Sequence, residues 1–283
     1  MPELPPRTGT SLAADLRELG VRPGATILLH ASLRSLGWVC GGAPTVVRAL
    51  LAVLGPAGTL VVPAFTPENR DPSRWSHAPV PERWWPAIRA ELPAFDPAVT
   101  PCREMGLIAE TVRTWPGAVR SPHPQTSFVA VGARARALTA RHPITCELGE
   151  DSPLAAVEAV GGQALLLGVG FDRCTAFHLA EYRQPGLRHR ANRCVVMTTA
   201  GRRWISYRAA VLDDSDFAAL GADYREAAPN GVAAGPVGGA AALLVDIRDA
   251  VAFATGWLVG RGVPTGSLAP RSGRRAADLR PVR

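Results

Sequence analysis

The 283-residue chain contains no lysine: all 31 of its basic side chains are arginines, set against 24 acids for a formal charge of +7. That absence removes a Schiff-base lysine and the phosphate-gripping lysine of a GxxxxGK[ST] loop from consideration. Cysteine is sparse and unpatterned. Cys40, Cys102, Cys146, Cys174 and Cys194 are odd in number, far apart and without a CxxC, which argues against a zinc ribbon or a disulfide framework and for a reducing, cytoplasmic setting. No apolar run approaches the ~20 residues that cross a bilayer. The start MPELPPRTGT carries an early acid and three prolines where an export signal would carry a basic start and an apolar stretch. Repeats and long biased tracts are also missing, so a chain that is 47% hydrophobic and 19% charged reads as a folded protein with a substantial core. The arginines of the tail RSGRRAADLRPVR have no aromatics between them, which fits a solvated end better than a nucleic-acid arm. The expected organisation is a flexible 1–9, one domain over 10–265 and a flexible 266–283, with no membrane or nucleic-acid partner.

What is present alternates. Thr10 to Leu19 reads as a short capped helix ended by Gly20, TILLH at 26–30 as a buried strand, PTVVRALLAVLG as a helix and GTLVVPAF as a second strand, the pattern of a right-handed crossover in a parallel sheet. REMGLIAETVRTW, TSFVAVG and ARARALTA continue it. Ser152 and Pro153 form an N-cap and first helical residue ahead of the strand QALLLGVG. VVMTTAGRRWISYRA resembles a hairpin turning at Ala200-Gly201, and DIRDAVAFATGWLVG an amphipathic closing helix. The expected fold is α/β, a largely parallel central sheet flanked by helices. Residues 66–100 interrupt the pattern with clustered prolines and Trp75, Trp84 and Trp85, and read as an ordered insertion over the active site.

Four segments could carry chemistry. ASLRSLGWVCGG, after the first strand, puts Ser32, Arg34, Ser35, Gly37, Gly41 and Gly42 at a strand's carboxyl end, where a loop can cradle a phosphate or merely turn. RSPHPQTS holds Ser121, His123 and Ser127 in a stiff loop, a structural role being at least as well supported as a site wall. LGEDSP sets Glu150 and Asp151 before a helix, as dipole caps or as charge for a cationic ligand. In TAFHLAEYR, a helix puts His178 and Glu181 one turn apart on one face, so the carboxylate could fix the imidazole as a general base. The same spacing suits a surface ion pair, and Cys174, on the same helical face, leaves a cysteine nucleophile open. HxxE lacks the second histidine of HExxH, so no metal is expected.

Together, LLHASLRSLGWVCGG, GPAGTLVVPAFT, PVPERWWPAIRAELPAFDP, TPCREMGLIAETVRTWPGAVRSPHPQTSFVAVG, GEDSPLAAVEAVGGQALLLGVG and TAFHLAEYR resemble the aminoglycoside 3-N-acetyltransferase family, which is distinct from the GNAT acetyltransferases. They occur in the family's order over most of residues 10–260. The resemblance implies acetyl-CoA as cosubstrate and N-acetylation of an aminoglycoside at the 3-amino group. It makes His178 the base, Glu181 its partner, and Ser32, Leu33, Arg34, Ser35 and Gly37 part of the CoA phosphate site. It also implies Ser121, His123 and Ser127 along the pantetheine channel or site wall, and Asp151, Glu150, Asp71, Trp75 and Trp84 toward the antibiotic. Asp213, Asp214 and Asp216 are further acids available to a polycation. A homodimer is compatible with it. Ala78 interrupts an expected PPVP, and Phe177 stands where leucine is common. The alternatives are a family member acting on another amine, a cysteine hydrolase using Cys174 and His178, and a non-catalytic CoA or nucleotide binder.

Overall fold

A computed structural model describes residues 5–75 and 80–260, so Ala78 and the tail 266–283 lie outside the described residues. Helix α1 (Gly9–Leu19) opens under a reciprocal cap in which Thr8 and Ser11 accept each other's backbone N–H. It stops at Gly20, whose φ of 111° is left-handed. Strand β1 (Thr26–Ala31), helix α2 (Ala43–Leu54) and strand β2 (Thr59–Pro63) form the expected unit, with β1 and β2 parallel. A long connection then carries α3 (Trp85–Glu91), α4 (Gly106–Arg113) and the short β3 (Val119–Arg120) to β4 (Phe128–Gly132) and α5 (Ala135–Thr139). Helix α6 (Pro153–Ala159) starts as expected, with the Ser152 hydroxyl accepting from Leu154 N, and leads into β5 (Gln163–Leu167) and α7 (Phe177–Tyr182). The hairpin of β6 (His189–Thr198) and β7 (Gly201–Ala210), α8 (Phe217–Ala227), the hairpin of β8 (Val232–Val237) and β9 (Ala240–Asp246), and α9 (Ile247–Gly260) complete the order.

Seven strands make one sheet in the order β3-β4-β2-β1-β5-β9-β8, and β6 with β7 makes a separate ribbon. The centre, β2-β1-β5, is parallel, while β4 and β9 join it antiparallel. Connection length explains the flanks: the long excursion after β2 lets β4 enter from the opposite end, and β9 arrives through a tight hairpin with β8. Side chains alternate across β1. Ile27 and Leu29 pack with α1, α2 and α4 on one face, and Leu28 packs with α6 to α9 on the other, which gives the α/β/α layering. His30 falls in step with Leu28.

The insertion is ordered and rests on the ribbon. Phe95 N donates to Val195 O at 3.1 Å, Asn69 exchanges bonds with the backbone of Val195, and the Trp204 indole donates to Arg89 O at 2.7 Å. None of its described residues lines the cavity beside His178.

Candidate active site

A cavity of about 630 Å³ opens at the carboxyl ends of β1, β2 and β5, the place where a parallel α/β sheet offers a ligand crevice. His30 and Ala31 come from the end of β1, Val62 and Pro63 from β2, and Val169 from just beyond β5. The loop after β1 adds Ser32, Leu33 and Arg34. Its geometry follows from short polar side chains: Ser35 Oγ donates to Ser32 Oγ at 2.9 Å and lies 3.1 Å from Gly168 O, which ties the loop to the end of β5. That approach needs Gly168. Its φ is 69°, and a Cβ there would come 2.5 Å from the Ser35 Cβ. Ser35 and Gly37 belong to the same turn, although they are not part of the cavity wall.

Helix α7 delivers His178. Its Nδ1 lies 2.5 Å from Glu181 Oε2, both side chains being mostly buried, as the three-residue spacing allows on a helix. The other carboxylate oxygen accepts Asp213 N at 2.8 Å, so Glu181 is held at both ends. Phe217 packs on the imidazole with ring centroids 4.8 Å apart. The ring lines the cavity, and its Nε2 has no hydrogen-bond partner among the described residues. A neutral imidazole whose Nδ1–H is given to a carboxylate presents a basic Nε2, the arrangement a general base needs.

The remaining wall contains charge that sequence reasoning mostly missed. Glu104, Asp172, Arg173 and Asp214 line it together with Arg34. Glu104 stands at the entry to α4 with a φ of 63°, the one left-handed non-glycine residue in the described backbone, and such strain collects at functional sites. Only the acids near Asp214 were legible, as a run of carboxylates. His30, 9% exposed, is held neutral by burial and then by the neighbouring charge of His178, which push it down to about 3. A histidine closing the buried strand TILLH was the available signal for it.

Several expected site residues are placed elsewhere. Ser121, His123 and Ser127 are fully buried. Ser127 Oγ donates to Ala64 O and accepts from Arg120, and Ser121 and His123 are bonded within a closed network. Asp151 pairs with Arg141 at 2.8 Å and Glu150 with Arg183 at 2.7 Å on a different surface. Asp71 is buried between Arg89 and Arg193, with Arg89 holding its carboxyl below the usual range. The Trp75 indole donates to Arg70 O, and Trp84 is half exposed. None of these lines the cavity. Cys174 does, but α7 begins only at Phe177, so the shared helical face with His178 does not form. Its thiol is fully buried and pushed up to about 12, which disfavours the thiolate that a nucleophile requires. Phe177 is buried and stacks on Phe171 at 5.7 Å, filling the core behind the site.

A family model described as aminoglycoside 3-N-acetyltransferase matches residues 28–259. The chain belongs to the aminoglycoside 3-N-acetyltransferase family. It is therefore an acyltransferase, with acetyl-CoA as its cosubstrate. It is 40% identical over 256 residues to the SPbeta prophage-derived aminoglycoside N(3')-acetyltransferase-like protein YokD of Bacillus subtilis (strain 168), covering 90% of this chain and 93% of that one. It is 37% identical over 272 residues to aminoglycoside N(3)-acetyltransferase VII of Streptomyces paromomycinus, covering 89% and 92%. The crystal structure of YokD superposes with a TM-score of 0.86 at 39% identity, covering 90% of this chain and 94% of that one. A structure of AAC-IIIb with CoASH gives 0.80 at 33% identity, covering 92% and 99%, and AAC-VIa bound to sisomicin gives 0.81 at 33%, covering 92% and 100%. No group of three or more histidine, cysteine or acidic side chains that could hold a metal occurs among the described residues, and no helix there is long and apolar enough to cross a membrane.

Proposed function

We propose that the chain transfers the acetyl group of acetyl-CoA to the 3-amino group of the 2-deoxystreptamine ring of an aminoglycoside, and so confers resistance, in a ternary complex with His178 as general base. The observation that carries the base assignment is the 2.5 Å contact between His178 Nδ1 and Glu181 Oε2 beside an unpartnered Nε2 at the cavity wall. An alkylamine is mostly protonated at neutral pH and cannot attack while charged. His178 takes its proton, the freed lone pair attacks the thioester carbonyl, and Glu181 stabilises the imidazolium without itself being protonated. Collapse breaks the C–S bond, the sulfur leaves with its electron pair and takes the second proton shed by the nitrogen, giving amide and thiol, and His178 returns its own proton to solvent.

Charge on the wall supports the substrate class. In a protein of formal charge +7, three carboxylates, Glu104, Asp172 and Asp214, line this cavity against two arginines, Arg34 and Arg173, the latter paired with Asp172 at 3.2 Å, and the local excess of negative charge is what a polycation requires. Arg34, on the loop Ser32 to Gly37 at the cavity wall, is suited to the anionic end of CoA, because arginine binds phosphate in a bidentate way. The uncapped start of α4 at the same wall adds N–H groups without intrahelical partners. The test is thiol release from acetyl-CoA against an aminoglycoside panel, with the masses of the products. One added acetyl on the 3-amino group is the expected result. Thiol release with other amines but with no aminoglycoside would overturn the substrate and leave the reaction standing.

A further inference from the structure

Among the described residues, His30 Nε2 is one of few buried side-chain polar atoms without a hydrogen-bond partner. Leaving such an atom buried and unpaired costs free energy, so its presence asks for an explanation. Its position supplies one. His30 is the penultimate residue of β1, in register with Leu166 of β5, and both face the layer that contains α7. It lines the cavity that His178 lines, near enough that positive charge on one ring opposes positive charge on the other. The next two residues turn into the Ser32 to Gly37 loop, so the histidine sits between the proposed cofactor turn and the proposed base.

We propose that His30 is a positioning residue for acetyl transfer, a neutral imidazole that offers its free ring nitrogen to the positive charge formed on His178 when the amine gives up its proton. This rests on the reading of His178 as the base. In that step the substrate N–H bond breaks and the His178 Nε2–H bond forms. Glu181 compensates the imidazolium on its Nδ1 side, and His30 supplies a polar, uncharged neighbour on the strand side. Neutrality is essential to this role. A second protonated ring would repel both the imidazolium and a polycationic substrate, and burial keeps His30 unprotonated wherever the enzyme is expected to work. The other titratable groups that line the same cavity are Arg34, Glu104, Asp172, Arg173, Cys174 and Asp214.

The experiment is a pair of substitutions, His30→Leu and His30→Asn, with kcat, the KM of acetyl-CoA and the pH dependence of kcat/KM measured on protein whose thermal melt shows it folded. Removing the polar neighbour makes His178 a weaker base. His30→Leu is therefore expected to lower kcat by about tenfold with the KM of acetyl-CoA within about twofold, and to move the acid limb of kcat/KM to lower pH. His30→Asn, which keeps a polar group on the strand side, is expected to recover part of kcat, and it carries the test alone if the leucine variant does not fold. An acid limb that stays in place in His30→Leu, or in His30→Asn when its kcat is lowered, overturns the proposal. So does a raised KM with kcat unchanged, which would make His30 only a wall of the cofactor site. His178→Ala separates the two readings: if it is inactive while His30→Leu is unaltered, this inference alone fails, and if it is fully active the base assignment fails with it.

Discussion

Two pairs of histidines end in opposite states. At the cavity, His178 spends one ring nitrogen on Glu181 and leaves the other unpartnered, and His30, on the same cavity wall, has a buried ring nitrogen without a partner. Behind the ribbon, His123 and His142 stack with ring centroids 4.7 Å apart and spend all four nitrogens. His123 Nδ1 accepts from Gln125 N and Thr126 N, and its Nε2–H donates to Ile144 O. His142 Nδ1 accepts from Ser121 Oγ, and its Nε2–H donates to Glu147 O at 2.8 Å. A histidine with every valence used is a strut, because protonating it must break a bond it already makes. A histidine with an orienting carboxylate on one side and a cavity on the other can exchange a proton without losing its place.

The largest effect should come from breaking the open pair. His178→Ala is expected to lower kcat by ~10²-fold or more while the thermal melt stays close to that of the parent; unchanged turnover would refute the base assignment. Glu181→Gln keeps a side chain of the same shape and removes the charge that stabilises the imidazolium. Roughly tenfold or greater loss in kcat is expected from it, with a smaller change in KM, read from the same thiol-release assay.

The closed pair should respond in the other observable. His123→Leu removes the acceptor for Gln125 N and Thr126 N and leaves the Ile144 carbonyl unpaired, so about 1–3 kcal/mol of stability should be lost per unsatisfied group, with kcat per folded molecule within about twofold. The pH dependence has a definite sign. Burial pushes His30 and His123 down to about 3 and His142 to about 4, below the value near 6.5 of an exposed histidine. The unfolded chain therefore binds more protons than the fold in that window. Stability contributed by these rings is complete above about pH 6.5 and is lost as pH falls toward 4. Glu147, raised by burial, works in the opposite direction, one group against three. Melting temperatures from pH 8 to 4.5 should decline, and His123→Leu should flatten that decline. An unchanged slope would mean that His123 is not held neutral by the fold.

How much of this was legible follows from where the signals lie. Caps and periodicity are local, so the Ser152 N-cap, the α1 stop at Gly20 and the β6–β7 turn could be read directly. The antiparallel flanks could not, because strand direction depends on what a connection does in space. Helix α8 and the β8–β9 hairpin were overlooked, although Gly238-Gly239 between alternating segments is a usable two-residue turn signal. At the site, the spacing of His178 and Glu181 on one helix was enough to pair them. His30 and Glu104 were not accessible in this way: one needs the register of β1 against β5, and the other needs a left-handed backbone at a residue that gives no hint of it. Asp151 and Glu150 looked suited to a cation, but neighbouring arginines that are distant in sequence had already taken them.

The smallest predicted effects compare those acids directly. Asp214→Asn removes a carboxylate from the cavity wall, and a few-fold rise in the KM of a polycationic substrate with kcat little changed is expected, since a charge that meets substrate and transition state alike affects binding rather than turnover. Asp151→Asn removes a carboxylate whose partner, Arg141, is largely exposed. Surface pairs of that kind contribute about 0–1 kcal/mol, so both the melt and the KM should stay near those of the parent. The contrast is sharper than either variant alone. Both substitutions remove one negative charge from a basic protein, so a long-range field effect would move the two KM values together, whereas local recognition in the cavity moves only that of Asp214→Asn. If Asp151→Asn gives the larger rise, the antibiotic is bound at the surface formed by Glu150, Asp151 and Arg141, and the cavity carboxylates serve some purpose other than recognising the cation.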